Sequence, residues 1–248
     1  MSIRPYTEAH AIACFELVLF HEKNISKPSL ELLRAALADS VLVSDFPDVS
    51  DVRPDDDGDP EFVMALIRES TPIQKLVVSP GITQLLVYDY RGWRVSRDLA
   101  FGWFEVVTEA LASIGVGTVS SGLRFLDVFI ADTYEDCVNC DLWRLPSHYL
   151  PPAFVNFASP IWSSEASWFL QDQPMHNKLR VHGALVGEGT PRSPQFFIDH
   201  RQQSVSGNAR PLNELFEELS VMHDANKALV RSLISDRYCE AIGLGEKE

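Results

Sequence analysis

Thr118-Val119-Ser120-Ser121-Gly122-Leu123-Arg124-Phe125-Leu126-Asp127-Val128-Phe129-Ile130-Ala131 decides how the rest of the chain is read. Val119, Leu123, Phe125 and Phe129 fall on one face of an extended strand, while Leu126, Val128 and Ile130 fall on the other. Apolar residues on both faces mark a strand covered from two sides, so this one is central and not an edge. Arg124 and Asp127 are three residues apart and therefore point to opposite faces. A charge on a central strand is costly unless it is paired, which makes both residues candidates for a buried network or a ligand contact.

Working outward, Phe101, Phe104, Val107 and Leu111 recur at helical spacing with Trp103, Val106 and Ala110 beside them, and Gly115 and Gly117 end that helix. Upstream, Ile73 to Val78 and Thr83 to Tyr90 flank Ser79-Pro80-Gly81-Ile82 and read as a hairpin. Ile12 to Phe20 reads as a first strand, Ser29 to Leu37 as a short helix on Leu30, Leu33 and Leu37, and Val41 to Ser44 as a further strand. Residues 47–60, rich in Asp, Pro and Gly, read as an acidic flexible loop.

Downstream, Leu150 to Ala158 reads as a short helix, and Ser167 to Gln171, Lys178 to Gly187 and Gln195 to Gln202 read as strands. Leu212 to Ile234 carries the longest helical pattern, and Ser235-Asp236 caps a terminal helix that Gly243 ends. Each half thus runs strand, short helix, three strands, long helix. The expected fold is α+β: a mostly antiparallel sheet with two long helices on one face and a two-fold pseudo-repeat. One domain spans residues 1–248, with halves of roughly 1–116 and 117–248. A groove between such halves is a common place for a small ligand.

Composition narrows the partners. The 248 residues are 46 % hydrophobic, enough for a sizeable core. With 21 Lys and Arg against 35 Asp and Glu, the formal charge of −14 disfavours nucleic acid and anionic membranes. The N-terminal sequence lacks the order of a secretory signal and no apolar run reaches membrane-spanning length, so a cytoplasmic protein is expected.

Several constellations invite chemistry. Cys137-Val138-Asn139-Cys140 has the spacing for two thiolates on one metal, with His148 as a third ligand, but a second pair is missing and ordinary reduced cysteines are the plainer reading. Asp55-Asp56-Asp57-Gly58-Asp59 fails the calcium-loop spacing: with Gly58 at the sixth position, Arg53 stands at the first and Met64 at the twelfth. His223 and Asn226 lie on the apolar stripe of the last long helix and need polar partners or a groove, whereas Lys227 belongs to its polar side. Arg180, His182, Asp199 and His200 face one another across the last hairpin if the register allows, as an acid/base set or as plain cross-strand pairing. Phosphate loops, a serine elbow and zinc-protease helices are absent from the sequence.

The stretch from Gln84 to Ile130, together with Leu212 to Gly243, resembles a sporadically distributed family of bacterial and archaeal proteins of similar length and uncharacterised activity. Gln84, Trp93 and Arg94 match its glutamine-then-tryptophan-arginine pattern, Phe101 to Phe104 its aromatic helix, and Gly122-Leu123-Arg124-Phe125 its strand motif. Members of that family usually carry asparagine where this chain has Gly92 and Asp127. The resemblance implies no activity, cofactor or catalytic residue. A patchy distribution suits an accessory, antitoxin-like or defence-associated role.

The expected function is a non-catalytic cytoplasmic factor that binds a protein partner, with a homodimer as a further arrangement and no cofactor. The alternative is a small-molecule sensor or enzyme whose groove is lined by Arg124, Asp127, His223 and Asn226. A deep pocket holding those side chains favours the alternative; a flat apolar patch outside the core favours the protein-binding factor.

Overall fold

The computed structural model describes residues 3–138, 141–150, 159, 161–170, 174–187, 192–205 and 207–244. Strands β1 (Ile3–Pro5) and β2 (Ile12–His21) lead to helices α1 (Lys27–Ala38) and α2 (Leu42–Asp45), then to the short strands β3 (Asp48–Val49) and β4 (Arg53–Pro54). The meander β5 (Pro60–Arg68), β6 (Thr71–Val78) and β7 (Ile82–Val87) precedes helix α3 (Trp93–Ser113). Next come β8 (Thr118–Ala131), α4 (Tyr134–Val138), a second meander of β9 (Trp162–Phe169), β10 (Met175–Val186) and β11 (Ser193–Ser204), and helices α5 (Leu212–Leu233) and α6 (Asp236–Ala241). None of these helices is long and apolar enough to cross a membrane.

The class is α+β, built on one large antiparallel sheet in the order β3-β5-β6-β7-β2-β8-β11-β10-β9. In the first half the opening strand β2 pairs with the last strand of its meander, β7; in the second half β8 pairs in the same way with β11. The two opening strands then pair with each other through Phe15↔Phe125, Glu16↔Arg124 and Leu17↔Leu123. The recurring element order is therefore joined along a β2–β8 seam. Strand β1 continues the same edge of β8 beyond β2, from Ile3↔Ala131 to Pro5↔Phe129.

Gly122 permits close approach at the seam. A Cβ there would meet the Gln202 carbonyl oxygen at 3.2 Å and the Phe20 ring at 3.3 Å.

Alternation along the central strands sends Phe15, Leu17, Leu19, Leu123, Phe125 and Phe129 to one side, where all are buried. Helix α3 covers that side with Trp103, Phe104, Val107 and Leu111, and the first turns of α5 with Leu215, Phe216 and Leu219. The Phe216 ring meets Phe101 edge-on at 5.0 Å, locking the two long helices together on this face. The last turns of α5 place Leu229, Val230 and Leu233 over a second cluster with Phe129, Val181 and Ile198. Each such side chain contributes about 1.5–3 kcal/mol through removal from water. Among the described residues no helix of either cluster covers the opposite face of the sheet, where β9 exposes Ser163, Glu165, Ser167 and Phe169 in strict alternation.

Three expectations change. Val41 to Ser44 is not a strand: the Ser40 hydroxyl accepts the Leu42 amide at 3.2 Å and the Phe46 amide closes a turn onto the Leu42 carbonyl at 2.7 Å, giving α2. Residues 47–60 are not featureless, because β3 and β4 both pair with β5 and the Asp55 carboxylate accepts the amides of Asp57 and Asp59. The third strand of the first meander is β5, whose run Phe62 to Ile67 the sequence reading passed over. Of the expected helix from Leu150 to Ala158, residues 151–158 lie outside the described ones.

Candidate functional site

A cavity of about 480 Å³ lies on the helix side of the sheet, roofed by α5 and closed at one end by the start of α3. Gly92, at φ +103°, makes the turn that brings Tyr90-Arg91 into α3. The first helical residue, Trp93, then lies flat on the His223 ring, with centroids 4.4 Å apart and planes within 5°. Phe125 and Tyr90 meet edge to face at 6.2 Å and supply apolar wall between them. Two residues beyond Phe125 on the same strand face, Asp127 also lines the cavity. His223, Asn226 and Lys227 reach it from successive turns of α5, and His10 from the loop before β2.

Asp127 is the unusual group. It is only 4 % exposed, and its Oδ2 has no hydrogen-bond partner among the described residues. Burial pushes its pKa up to about 7. The same surroundings raise the Tyr90 phenol, through burial first and the Asp127 charge second. His223 is shifted downward by burial and by nearby Lys227, and its Nδ1 lies 3.2 Å from the Asp224 carboxylate. Asn226 is held from behind: His200 Nδ1 donates to its Oδ1 at 2.8 Å, and His200 Nε2 faces the Asn177 side-chain amide at 3.3 Å. Burial drives the His200 pKa down to about 4, so this imidazole is neutral at physiological pH and orients Asn226.

Arg124 does not belong to this cavity. Strand alternation places it on the opposite, helix-free face, where it forms a two-pronged pair with Asp199 at 2.8 and 2.9 Å. Its third contact is Glu16 at 3.2 Å, and Glu16 in turn accepts from Gln84 at 3.0 Å. A smaller groove of about 300 Å³ lies on this face beside Lys178, Arg201 and Gln84. Arg124 is thus committed to two carboxylates, and the four expected site residues divide three to one between the faces.

The last hairpin is also divided. Arg180 lies opposite Asp199, and both share the helix-free face with His182, which stacks on Phe197 at 4.6 Å. His200 points to the other side, so the four residues form no acid/base set. Burial raises the Asp199 carboxyl, but hydrogen bonds and charge from Arg124 outweigh it and hold the group below its usual value.

Cysteine chemistry gains nothing from the geometry. Burial pushes the Cys14 thiol up to about 11, leaving it protonated. Cys137 is buried and His148 lies in a hollow beside Arg144 and Cys239, while Cys140 falls outside the described residues. Among the described residues no group of three or more His, Cys, Asp or Glu is arranged to hold a metal ion.

Sequence reasoning placed Asp127, His223 and Asn226 but missed His10, Tyr90 and Lys227 at the same cavity. Lys227, read as part of the polar side, lies about 40° around the helix from His223, at the boundary of the apolar stripe. The other two sit in connections with no periodic signal. No family model matches the chain, and no curated protein matches it in sequence.

Proposed function

We propose that the chain is a receptor for a small organic molecule, held without covalent chemistry in the cavity between β8, the start of α3 and the middle of α5. The observation that carries this reading is Asp127: a carboxyl almost wholly removed from water, on the wall of a ligand-sized cavity, with an oxygen left without a donor. A carboxyl kept only for packing would be better replaced by an apolar side chain of similar volume. The aromatic wall of Trp93, Tyr90 and Phe125 suits an organic ligand more than a hydrated ion. Gly92 and Asp127, where the chain departs from the family pattern it resembles, both border the cavity.

The test is retention of metabolites from a cell extract, identified by mass spectrometry after the protein is washed and denatured. Wild type is expected to retain one small molecule stoichiometrically, and the Asp127→Leu variant to lose it. Equal retention by both proteins would move the site elsewhere, and no retention by either would overturn the reading.

A protein partner is the second reading. Among the described residues no strand pairs with the outer edge of β9, and Phe169 on that strand is 66 % exposed. An open edge accepts an added strand through backbone hydrogen bonds. That edge carries no chemistry particular to an antitoxin-like or defence-associated partner.

A further inference from the structure

Two buried acceptor atoms on residues that line the cavity lack a donor. One is Asp127 Oδ2; the other is His10 Nδ1, also buried and without a partner among the described residues. The Tyr90 carbonyl lies 2.9 Å from His10 Nε2 and can only accept, so in the neutral ring Nε2 carries the proton and Nδ1 is left as an acceptor. A buried acceptor without a donor is costly, and a ligand that brings N–H groups removes that cost.

Shape and charge narrow the ligand further. Aromatic ring faces line the cavity: the Trp93 and His223 rings are stacked on each other, and the Phe125 and Tyr90 rings stand at 89° to one another. A planar ring packs against such faces without regard to its substituents. Lys227 borders the cavity one turn beyond His223, and among the described residues its ammonium makes no ion pair, although the chain carries 35 acidic residues. It is free to receive an anionic substituent. Arg91, the other cation at the rim, is already held by Asp89 at 2.6 Å.

Resting on the small-molecule reading above, we infer that the ligand carries a planar N–C–N edge with two adjacent N–H donors, directed at Asp127, and an anionic group directed at Lys227. Above about pH 7, where the Asp127 carboxyl is ionised, it accepts such an edge through two parallel hydrogen bonds. Guanine-type rings and guanidino compounds both present this edge, and a guanine nucleotide or a free guanidino amino acid also brings the anion. Adenine presents one donor beside one acceptor, so its edge leaves an Asp127 oxygen facing a lone pair.

The test is calorimetric titration of the intact protein at about pH 8, where Asp127 is ionised, with guanosine monophosphate, L-arginine, adenosine monophosphate and tyramine, with the Trp93 indole N–H followed by NMR. The first two share the edge and separate its two sources; the last two lack it. The expected result is that one of the first pair shifts the indole resonance and binds at least about thirtyfold tighter than either of the last pair, since a buried polar group left unpaired is strongly rejected. In Asp127→Asn, which offers one acceptor and one donor, that preference is expected to collapse to within a few-fold. Adenosine monophosphate or tyramine binding as tightly as the best of the first pair would overturn the donor-edge assignment and leave the cavity as the site. Silence from all four probes also overturns it; the extract experiment then decides the cavity separately, because a metabolite lost in Asp127→Leu keeps the cavity and none retained removes it.

Discussion

Asp127 shows how far a single position can be read before a structure is in hand. Period-two alternation along β8 separated it from Arg124, and the helical stripe of α5 put His223 and Asn226 together, so both assignments to a face were legible. That the carboxyl has no cation beside it was not legible, because His10 and Tyr90 enter from connections and Lys227 lies only about 40° around the helix from His223, a spacing that a stripe cannot assign to one side. The consequence is a pH dependence with a definite sign. In the unfolded chain this carboxyl ionises near pH 4, whereas in the fold it holds its proton to about 7. Between those values the folded state binds more protons, so stability falls as pH rises from about 4 to 7, and the full penalty remains above that. A shift of this size is worth roughly 3–4 kcal/mol. Asp127→Asn keeps the shape and removes the ionisation, so it is expected to flatten this part of the stability profile and to be about 2–4 kcal/mol more stable than wild type at pH 8. Urea unfolding at pH 5 and pH 8 checks it: an equal pH response in both proteins would mean that the carboxyl finds a counter-charge.

At the scale of elements, long periodic segments were legible and short ones were not. Helices α3 and α5 and strand β8 each repeat their pattern over many residues, so one period clearly wins. The run Val41 to Ser44 is too short to distinguish a turn of helix from a strand, and only the Ser40 cap and the Phe46 amide decide it. In β5 the six residues from Phe62 to Ile67 are all apolar and show no alternation. The elements are tied across the helix-free face by Arg124, which links β8 to Glu16 on β2 and to Asp199 on β11. Arg124→Ala would leave Glu16 without its cation and Asp199 with only the more exposed Arg201 at 3.4 Å, an expected loss of about 2–4 kcal/mol. Arg124→Lys keeps the charge but not the fork, and should recover about half of that loss. Since Arg124 holds the Asp199 carboxyl below its ordinary value, this contribution is present above about pH 4 and fades as pH falls through the lowered value. Arg124→Ala is therefore expected to lose little further stability between pH 5 and pH 3, while wild type declines. Chemical denaturation across that range checks it, and a parallel decline in the variant would show that Asp199 is not held by Arg124.

Over the whole molecule, the repeated element order makes the seam decisive. The sequence reading took residues 1–248 as one domain, yet two units of similar topology, meeting near Gly117, could fold separately. The structure argues otherwise through shared elements. Strand β8 contributes Leu123 and Phe125 to the first buried cluster and Phe129 to the second, while α5 gives Leu215, Phe216 and Leu219 to the first and Leu229, Val230 and Leu233 to the second. Neither half retains its whole core when the other unravels: β8 and α5 of the second half complete the first cluster, and Ile3 and Ala11 of the first half lie in the second. Unfolding is accordingly expected as one cooperative transition, with circular dichroism and tryptophan fluorescence coincident in urea. Leu76→Ala empties a fully buried site in the first cluster and Val181→Ala one in the second. The leucine truncation should cost about 2–5 kcal/mol and the smaller valine truncation less. Each is expected to move that single midpoint without separating the two signals. If Leu76→Ala shifted one transition and Val181→Ala another, the halves would be independent and the β2–β8 ladder would be a docking surface between two folded units; a common shift makes the seam part of one core, with the cavity under α5 built on its least separable strand.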